Sequence, residues 1–376
     1  MKEKKWIWEH TDYPNFKYDN SKLDTALSQV SRSTGILEGT ISTLNSSNTT
    51  SIQLDAVTNE ILASSEIEGE ILNRDSVRSS VHKKLDETFD YTNDRSTHHT
   101  DGLVDVLIDS SFNHEPLTEE RLHGWHNALF PTGYSGMTKI DVARYRSEEM
   151  SVVSGRGMKE KTHYIAPSHN TLTDEMHTFL EYINHSEDNP YVKSAIAHLW
   201  FVIIHPYDDG NGRLTRAIAN YVLSKELGLN HKYFSISLAV IKDKKNYYAS
   251  LEKTNKIIDN KDFDFTAWIL WHTSMINSAI NISLENIQTV VNKTKFWDRA
   301  RELNLNEKQS KVINKLLDAG EGKFEGGLTN KKYRAITGTT QLTASRHIKE
   351  LVDKGLLREV EGHGGRSTCY DIVWNG

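Results

Sequence analysis

Within twelve residues the chain places a histidine, two acids, a glycine-rich turn and two arginines: His205-Pro206-Tyr207-Asp208-Asp209-Gly210-Asn211-Gly212-Arg213-Leu214-Thr215-Arg216. Gly210, Asn211 and Gly212 can turn tightly and aim successive backbone N–H groups into one concavity. At the start of a helix such a turn binds anions. Arg213 and Arg216 are spaced i, i+3, so both guanidinium groups leave one face of the first helical turns. Two planar forks on one face suit a polyphosphate better than a single carboxylate. Asp208 and Asp209 supply hard oxygens. One of them beside phosphates suffices for Mg²⁺, which takes few protein ligands and keeps its waters. His205 titrates near neutrality and can act as a general base. Together these groups fit activation of a hydroxyl for attack on a phosphate of a Mg²⁺–nucleotide, with positioning and charge neutralisation supplying most of the rate. A lone histidine is more often structural, and Gly-Asn-Gly alone is only a turn. Two helix-phased arginines and an acid beside them weigh against that plain reading. No Gly-x-x-x-x-Gly-Lys-Ser/Thr loop and no kinase loop signature occurs, which excludes an ordinary P-loop or kinase site.

Such a set needs a rigid frame. Leu199 to Ile204 is apolar and leads into His205, and Tyr191 to Ile204 reads as a helix with Ile196, Leu199, Trp200 and Ile203 in the core. Ala217 to Leu227 reads as the next helix, ended by Gly228. Further helices are predicted over 23–44, 51–70, 103–108 and 172–185, after the Thr118 cap, and over 239–254 and 265–283. The helix over 51–70 closes with Ser64-Ser65-Glu66-Ile67-Glu68-Gly69. Ser64 and Glu68 share a face, and Gly69 reads as a stop. By itself Glu68 is a solvated carboxylate near a helix end. One β segment pairs Glu149 to Gly157 with His163 to Pro167, turning at Gly155-Arg156-Gly157. That hairpin is either a plain surface feature or an edge that binds an extended peptide by strand addition. Trp6, Trp8, Tyr13, Phe16 and Tyr18 are expected to pack an N-terminal ribbon onto the body.

From Asn306 the pattern changes. Helices are predicted over 307–317, over 330–336 behind a Thr329 cap, and from Thr340 or Gln341 to Gly355. Strands follow over 356–360 and 368–373, with Gly362 to Arg366 between them. This is a winged helix-turn-helix plan, with Lys331, Lys332, Arg334, Arg346, His347, Lys349 and Arg366 supplying positive charge. Winged helices also dock proteins, so DNA and a protein both stay open as partners.

Composition sets outer bounds. A length of 376 residues allows two or three domains. No apolar run approaches the ~20 residues that span a bilayer. The basic N-terminal residues are not followed by an apolar stretch, so no signal peptide is expected. Cys369 is the single cysteine, which excludes an internal disulfide and a cysteine-based zinc site, and a cytoplasmic location fits. From Asn306 onward 12 Lys and Arg face 9 Asp and Glu, whereas the whole chain carries -6, so a mildly basic tail follows an acidic body.

His205 to Arg216 resembles the signature of the Fic family, His-x-Phe-x-Asp/Glu-Gly-Asn-Gly-Arg-x-x-Arg, with Tyr207 in place of the usual Phe. The resemblance implies a mainly α fold: a helical bundle with a small β-hairpin flap. It implies transfer of AMP from ATP to a hydroxyl of a target protein, with pyrophosphate released. His205 would be the base and Asp209 the Mg²⁺ ligand. Gly210, Asn211 and Gly212 would cradle phosphates that Arg213 and Arg216 clamp, and the hairpin with Val152, Val153 and Tyr164 would dock the target. Ser64 to Gly69 is similar to the family's inhibitory motif, Ser/Thr-x-x-x-Glu-Gly/Asn, which implies that Glu68 reaches Arg216 and blocks the γ-phosphate. The implied layout is an N-terminal helical region over 1–100, a catalytic domain over 101–300 and the winged helix over 301–376. Self-modification, a homodimer, removal of AMP, and a DNA-binding regulator that only senses nucleotide remain open beside the leading expectation.

Overall fold

The computed structural model describes residues 5–85, 91–154, 161–228, 233–320, 322–360 and 368–374. The glycine-rich hairpin turn at 155–157 and the turn expected at 362–366 lie outside them, as do residues 1–4. The chain forms two compact units, Met1–Ser283 and Leu284–Gly376.

The first unit is mainly α. Helix α1 (Asn20–Ser42) starts where the Asp19 carboxylate accepts the Ser21 N–H, and α2 (Ser46–Ile67) where the Asn45 side chain accepts the Asn48 N–H. Helices α3 (Arg74–Leu85), α4 (His98–Phe112) and α5 (Glu119–Leu129) follow. The Thr118 hydroxyl caps α5, which buries Leu122, Trp125 and Leu129. Strands β1 (Tyr134–Ser135) and β2 (Thr138–Lys139) make a short hairpin. Strands β3 (Ser151–Ser154) and β4 (Lys161–Ile165) pair antiparallel with Val152 opposite Tyr164, and the register shifts between Val152 and Val153.

Helices α6 (Leu172–His185), α7 (Pro190–Ile204) and α8 (Asn211–Leu227) come next. Helix α7 is buried almost all round, as an evenly apolar helix must be. It packs along α8, and buried Lys193 of α7 ties to Glu226 of α8 at 2.6 Å. Helix α8 begins six residues before the predicted Ala217. Gly210, at φ +81, turns the chain so that Leu214 N–H already bonds the Gly210 carbonyl at 3.0 Å. The helix expected over 239–254 is two, α9 (Ile236–Lys242) and α10 (Lys244–Thr254). Between them the Asp243 carboxylate takes the Trp271 indole N–H at 3.1 Å and the Asn246 amide at 2.7 Å. Helix α11 (Thr266–Ala300) outruns its predicted end at 283, because no Gly or Pro interrupts it.

The N-terminal ribbon is an aromatic clasp. Phe16 packs against Trp200, Phe263 and Phe265, and Trp6 meets Tyr164 edge-on at 5.4 Å. The Trp8 indole donates to the Ile165 carbonyl at 2.8 Å, which fastens the base of the β3–β4 hairpin.

The second unit holds α12 (Glu307–Ala319), α13 (Asn330–Thr337) and α14 (Gln341–Asp353), then β5 (Leu357–Glu359) paired antiparallel with β6 (Tyr370–Ile372). Its core is Val312, Ile313, Leu316, Tyr333, Ile348 and Leu351, among others. Among the described residues no helix is long and apolar enough to cross a membrane.

Candidate active site

The site lies where α7 ends and α8 begins. His205 caps α7 in the left-handed region, at φ 51 and ψ 58, a conformation that a non-glycine residue keeps only when its surroundings hold it. Arg146 does the holding. This buried arginine donates from Nε to the His205 carbonyl at 2.9 Å and from Nη2 to the Pro167 carbonyl at 2.5 Å, while its own N–H bonds the Pro206 carbonyl at 2.9 Å. The His205 ring is fixed too. Nδ1 lies 3.3 Å from the Val202 carbonyl, so the proton sits on Nδ1 and the Nε2 lone pair is free. Burial pulls this imidazole down to about 4, with the Arg146 charge adding to the effect, so it is neutral at pH 7.

The turn after His205 is braced from within. Asn211 is buried, accepts the Tyr207 N–H at 3.0 Å and donates to the Tyr207 carbonyl at 2.7 Å. Its side chain thus shapes the loop, while Gly210 and Gly212 keep the backbone open. A Cβ at Gly210 would meet the Phe130 ring at 2.7 Å, and one at Gly212 would lie 2.1 Å from Glu68 Oε1. Tyr207 is fully buried, and its hydroxyl meets His123 Nδ1 at 2.9 Å, so a phenol is accommodated where the signature has Phe. His126 of α5 stacks on Tyr207 at 4.2 Å. Its Nδ1 accepts the Ala143 N–H at 3.2 Å, and its Nε2–H donates to the Asp209 carbonyl at 3.1 Å. Burial pushes His126 down to about 4 as well.

The two aspartates differ. Asp208 Oδ2 accepts the Asp141 N–H at 2.9 Å and so ties down a neighbouring loop. Asp209 Oδ1 accepts the Gly210 N–H at 2.6 Å, and its Oδ2 accepts the Ser135 hydroxyl of the small β1–β2 hairpin. A hydroxyl is a ligand that a cation's water can replace. Among the described residues no group of three or more His, Cys, Asp or Glu side chains could cage a metal ion. One carboxylate at the mouth of an anion site is a donor set that fits Mg²⁺ shared with phosphates and does not fit a protein-caged ion.

The two arginines face the same helix start. Arg216 is 4% exposed. Its Nη2 lies 2.8 Å from Glu68 Oε1, and its Nε and Nη2 donate to the Ser64 hydroxyl and carbonyl, both at 2.9 Å. Glu68 is the last cap of α2, and this is how the end of α2 meets α8. The Arg213 guanidinium stands over the Phe130 ring at 4.9 Å. Arg213 Nε and Arg216 Nη1 are both buried without a hydrogen-bond partner among the described residues. Unpaired buried N–H groups are unfavourable, and an anion at the helix start would satisfy them.

A cleft of about 580 Å³ opens from His205, Asn211 and Gly212 to the β3–β4 hairpin and α10, with Glu68 on its wall. Val152 and Val153 line it and are partly exposed, at 38% and 44%. Tyr164, grouped with them by resemblance, is buried, and its hydroxyl donates to the Ile203 carbonyl at 2.7 Å. It anchors the hairpin while its ring edges the cleft beside Val152 and Val153. The opposite wall carries Tyr248 and Asn255, and Asn255 Oδ1 is a buried acceptor with no hydrogen-bond partner among the described residues. An aromatic face beside an unpaired acceptor suits a purine with an exocyclic amino group. Arg146, His126, Tyr248 and Asn255 carry no motif. The one sequence signal for them was a tyrosine pair on a predicted helix.

Residues 116–223 match the sequence profile of the Fic/DOC family, and residues 6–86 match a domain of unknown function named DUF4172. The chain is 34% identical over 118 residues to a uridine 5'-monophosphate transferase of Xanthomonas campestris pv. campestris (strain 8004), covering 29% of this chain and 21% of that protein. It is 28% identical over 129 residues to the protein adenylyltransferase fic-1 of Caenorhabditis briggsae, covering 34% and 22%. The chain thus spans about a fifth of the length of these curated relatives. Among solved structures, a Fic family protein from Desulfovibrio desulfuricans G20 superposes with a TM-score of 0.52 at 17% identity, covering 93% of this chain and 97% of that one, a likeness of fold. With the matched segment running from the residues before α5 into α8 and enclosing the whole His205–Arg216 turn, the chain carries a domain of the Fic/DOC family over residues 116–223.

Proposed function

We propose that the protein is an adenylyltransferase that moves AMP from ATP onto a hydroxyl side chain (Ser, Thr or Tyr) of a target protein, and that Glu68 holds it inactive. The observation that carries this reading is Arg216, a buried cation at the start of α8 held by Glu68 and Ser64 while its Nη1 lacks a partner. A carboxylate there occupies the charge that a terminal phosphate needs. Once Glu68 leaves, Arg213 and Arg216 hold the two departing phosphates. His205 Nε2 takes the proton of the target hydroxyl as its oxygen bonds to the α-phosphorus. The bond from that phosphorus to the bridging oxygen breaks, and pyrophosphate leaves with the electron pair. Asp209 would hold Mg²⁺, which neutralises phosphate charge. Ser64 orients Arg216, and the edge of β3 at Val152 and Val153 offers strand addition to an extended target segment. Tyr248 and Asn255 favour adenine, and the relatives' names span both AMP and UMP transfer. The test is mass spectrometry of Glu68→Gly protein after separate incubation with Mg²⁺–ATP and Mg²⁺–UTP. An AMP adduct from ATP is expected, on this protein itself if no target is present. A uridylyl adduct from UTP with none from ATP would overturn the choice of nucleotide.

A second reading concerns residues 301–376, which we assign to a winged helix-turn-helix. The outer face of α14 exposes Gln341, Ser345, Arg346 and Lys349, polar groups of the kinds that read base edges. This favours duplex DNA over a protein partner. Gel-shift titration on random duplex at several salt concentrations tests it, and binding that ignores salt would remove DNA.

A further inference from the structure

Two residues beyond Glu68 a second carboxylate meets the other arginine. Glu70 Oε2 lies 3.2 Å from Arg213 Nη1, and Glu70 Oε1 lies 2.7 Å from Nε2 of His99 on α4. Gly69 sits between the two glutamates at φ +85, a conformation that favours glycine. One three-residue turn therefore sends Glu68 to Arg216 and Glu70 to Arg213, matching a pair of carboxylates to a pair of guanidinium groups spaced i, i+3. The Arg213 side chain is 10% exposed, and among the described residues Glu70 is the acid paired with it.

The helix behind this turn is not free to leave. Helix α2 buries Ile52, Val57 and Ile61. Its buried Glu60 carboxylate accepts the Ser235 hydroxyl at 2.6 Å and the Ser237 N–H at 3.0 Å, which pins α2 to the start of α9. Any exchange of carboxylate for phosphate at the arginines therefore involves the 68–70 turn and its side chains while α2 stays docked.

We propose that Glu70 is a specificity-determining residue of the nucleotide site: by occupying Arg213 it discriminates against nucleotides that carry terminal phosphates and leaves a nucleoside monophosphate unaffected. This rests on the reading of Arg213 and Arg216 as phosphate clamps. A terminal phosphate has to replace the Glu70 carboxylate at Arg213, whereas AMP has no terminal phosphate to bring there. His99 is a positioning residue that holds the far oxygen of Glu70 and keeps its near oxygen aimed at Arg213.

Calorimetric titration of the full-length chain in a His205→Ala background, where nothing turns over, tests this with Mg²⁺–ATP and with AMP as probes. Glu70→Gln is expected to tighten ATP about three- to fivefold, the range set by a partly exposed ion pair, and to change AMP less than about 1.5-fold. His99→Ala should shift ATP in the same direction by a smaller factor. The proposal is overturned if Glu70→Gln leaves ATP unchanged while Glu68→Gly tightens it, or if ATP and AMP shift equally, which marks a structural role. If neither Glu70→Gln nor Glu68→Gly tightens ATP, the polyphosphate reading of the two arginines falls instead.

Discussion

Two helices in this chain begin with the same kinds of residue and do opposite things with them. Helix α8 opens on Asn211, Arg213 and Arg216, and helix α14 opens on Gln341, Ser345 and Arg346. Arg216 is 4% exposed and Arg346 is 69% exposed. Burial decides the difference. At α8 a cation held out of water needs an anion, and in this structure that anion is Glu68. At α14 the cation is already solvated, and the Glu350 carboxylate paired with it stands 3.7 Å away. On the functions proposed above, one helix start would take a small polyanion enclosed in a cleft and the other a large polyanion met at a surface.

The comparison can be broken at several points. The largest effect is at the base: His205→Ala should lower nucleotide incorporation by about a hundredfold to ten-thousandfold, read with labelled ATP in a Glu68→Gly background. Next is its support. Arg146→Ala strips the bonds that hold His205 in the left-handed region, and should lower stability by about 2–3 kcal/mol and incorporation with it, read by thermal melting beside the labelling assay. Acid should then separate the two units. His205 and His126 are both pushed to about 4 by burial, and the buried His272 to about 3, while an unfolded imidazole sits near 6.5. The unfolded state therefore binds more protons below pH 6.5, and the first unit loses stability as pH falls from there toward 4. Calorimetry at pH 7 and pH 5 should show its transition dropping. The acid limb of kcat/KM in the activated protein should lie below 6.5. The smallest effect is at α14: Arg346→Ala and Lys349→Ala should each reduce the salt slope of duplex binding by about 0.9.

The sequence made the chemistry of α8 legible because His205, Asp209, Gly210, Gly212, Arg213 and Arg216 lie within twelve residues, and a local turn needs no tertiary fold to bring its residues together. The helices were legible for a similar reason: periodicity is local, and the Thr118, Thr329 and Gly228 signals sit where the helices start or stop. What was hidden came from afar. Arg146 acts through backbone carbonyls at 167 and 205, Tyr248 arrives on α10 and Asn255 at its C-terminal cap, and Glu70 matters only because Gly69 turns it toward Arg213. Tyr164 entered through resemblance alone, and its packing against the Trp6 ring while it borders the cleft is a tertiary fact. The 35-residue run of α11 was cut short in the sequence reading because its apolar pattern weakens after Ser283, yet nothing in it breaks a helix.

The most direct test of the central claim, that Arg216 is a phosphate site held by a removable carboxylate, is incorporation of labelled AMP by the parent protein, Glu68→Gly and Glu68→Gly/His205→Ala, side by side in Mg²⁺–ATP. The account predicts at least about tenfold more incorporation in Glu68→Gly than in the parent, since the competent state no longer competes with the ion pair, and none in the double variant. Equal incorporation in Glu68→Gly and the parent across ATP and Mg²⁺ concentrations would contradict it.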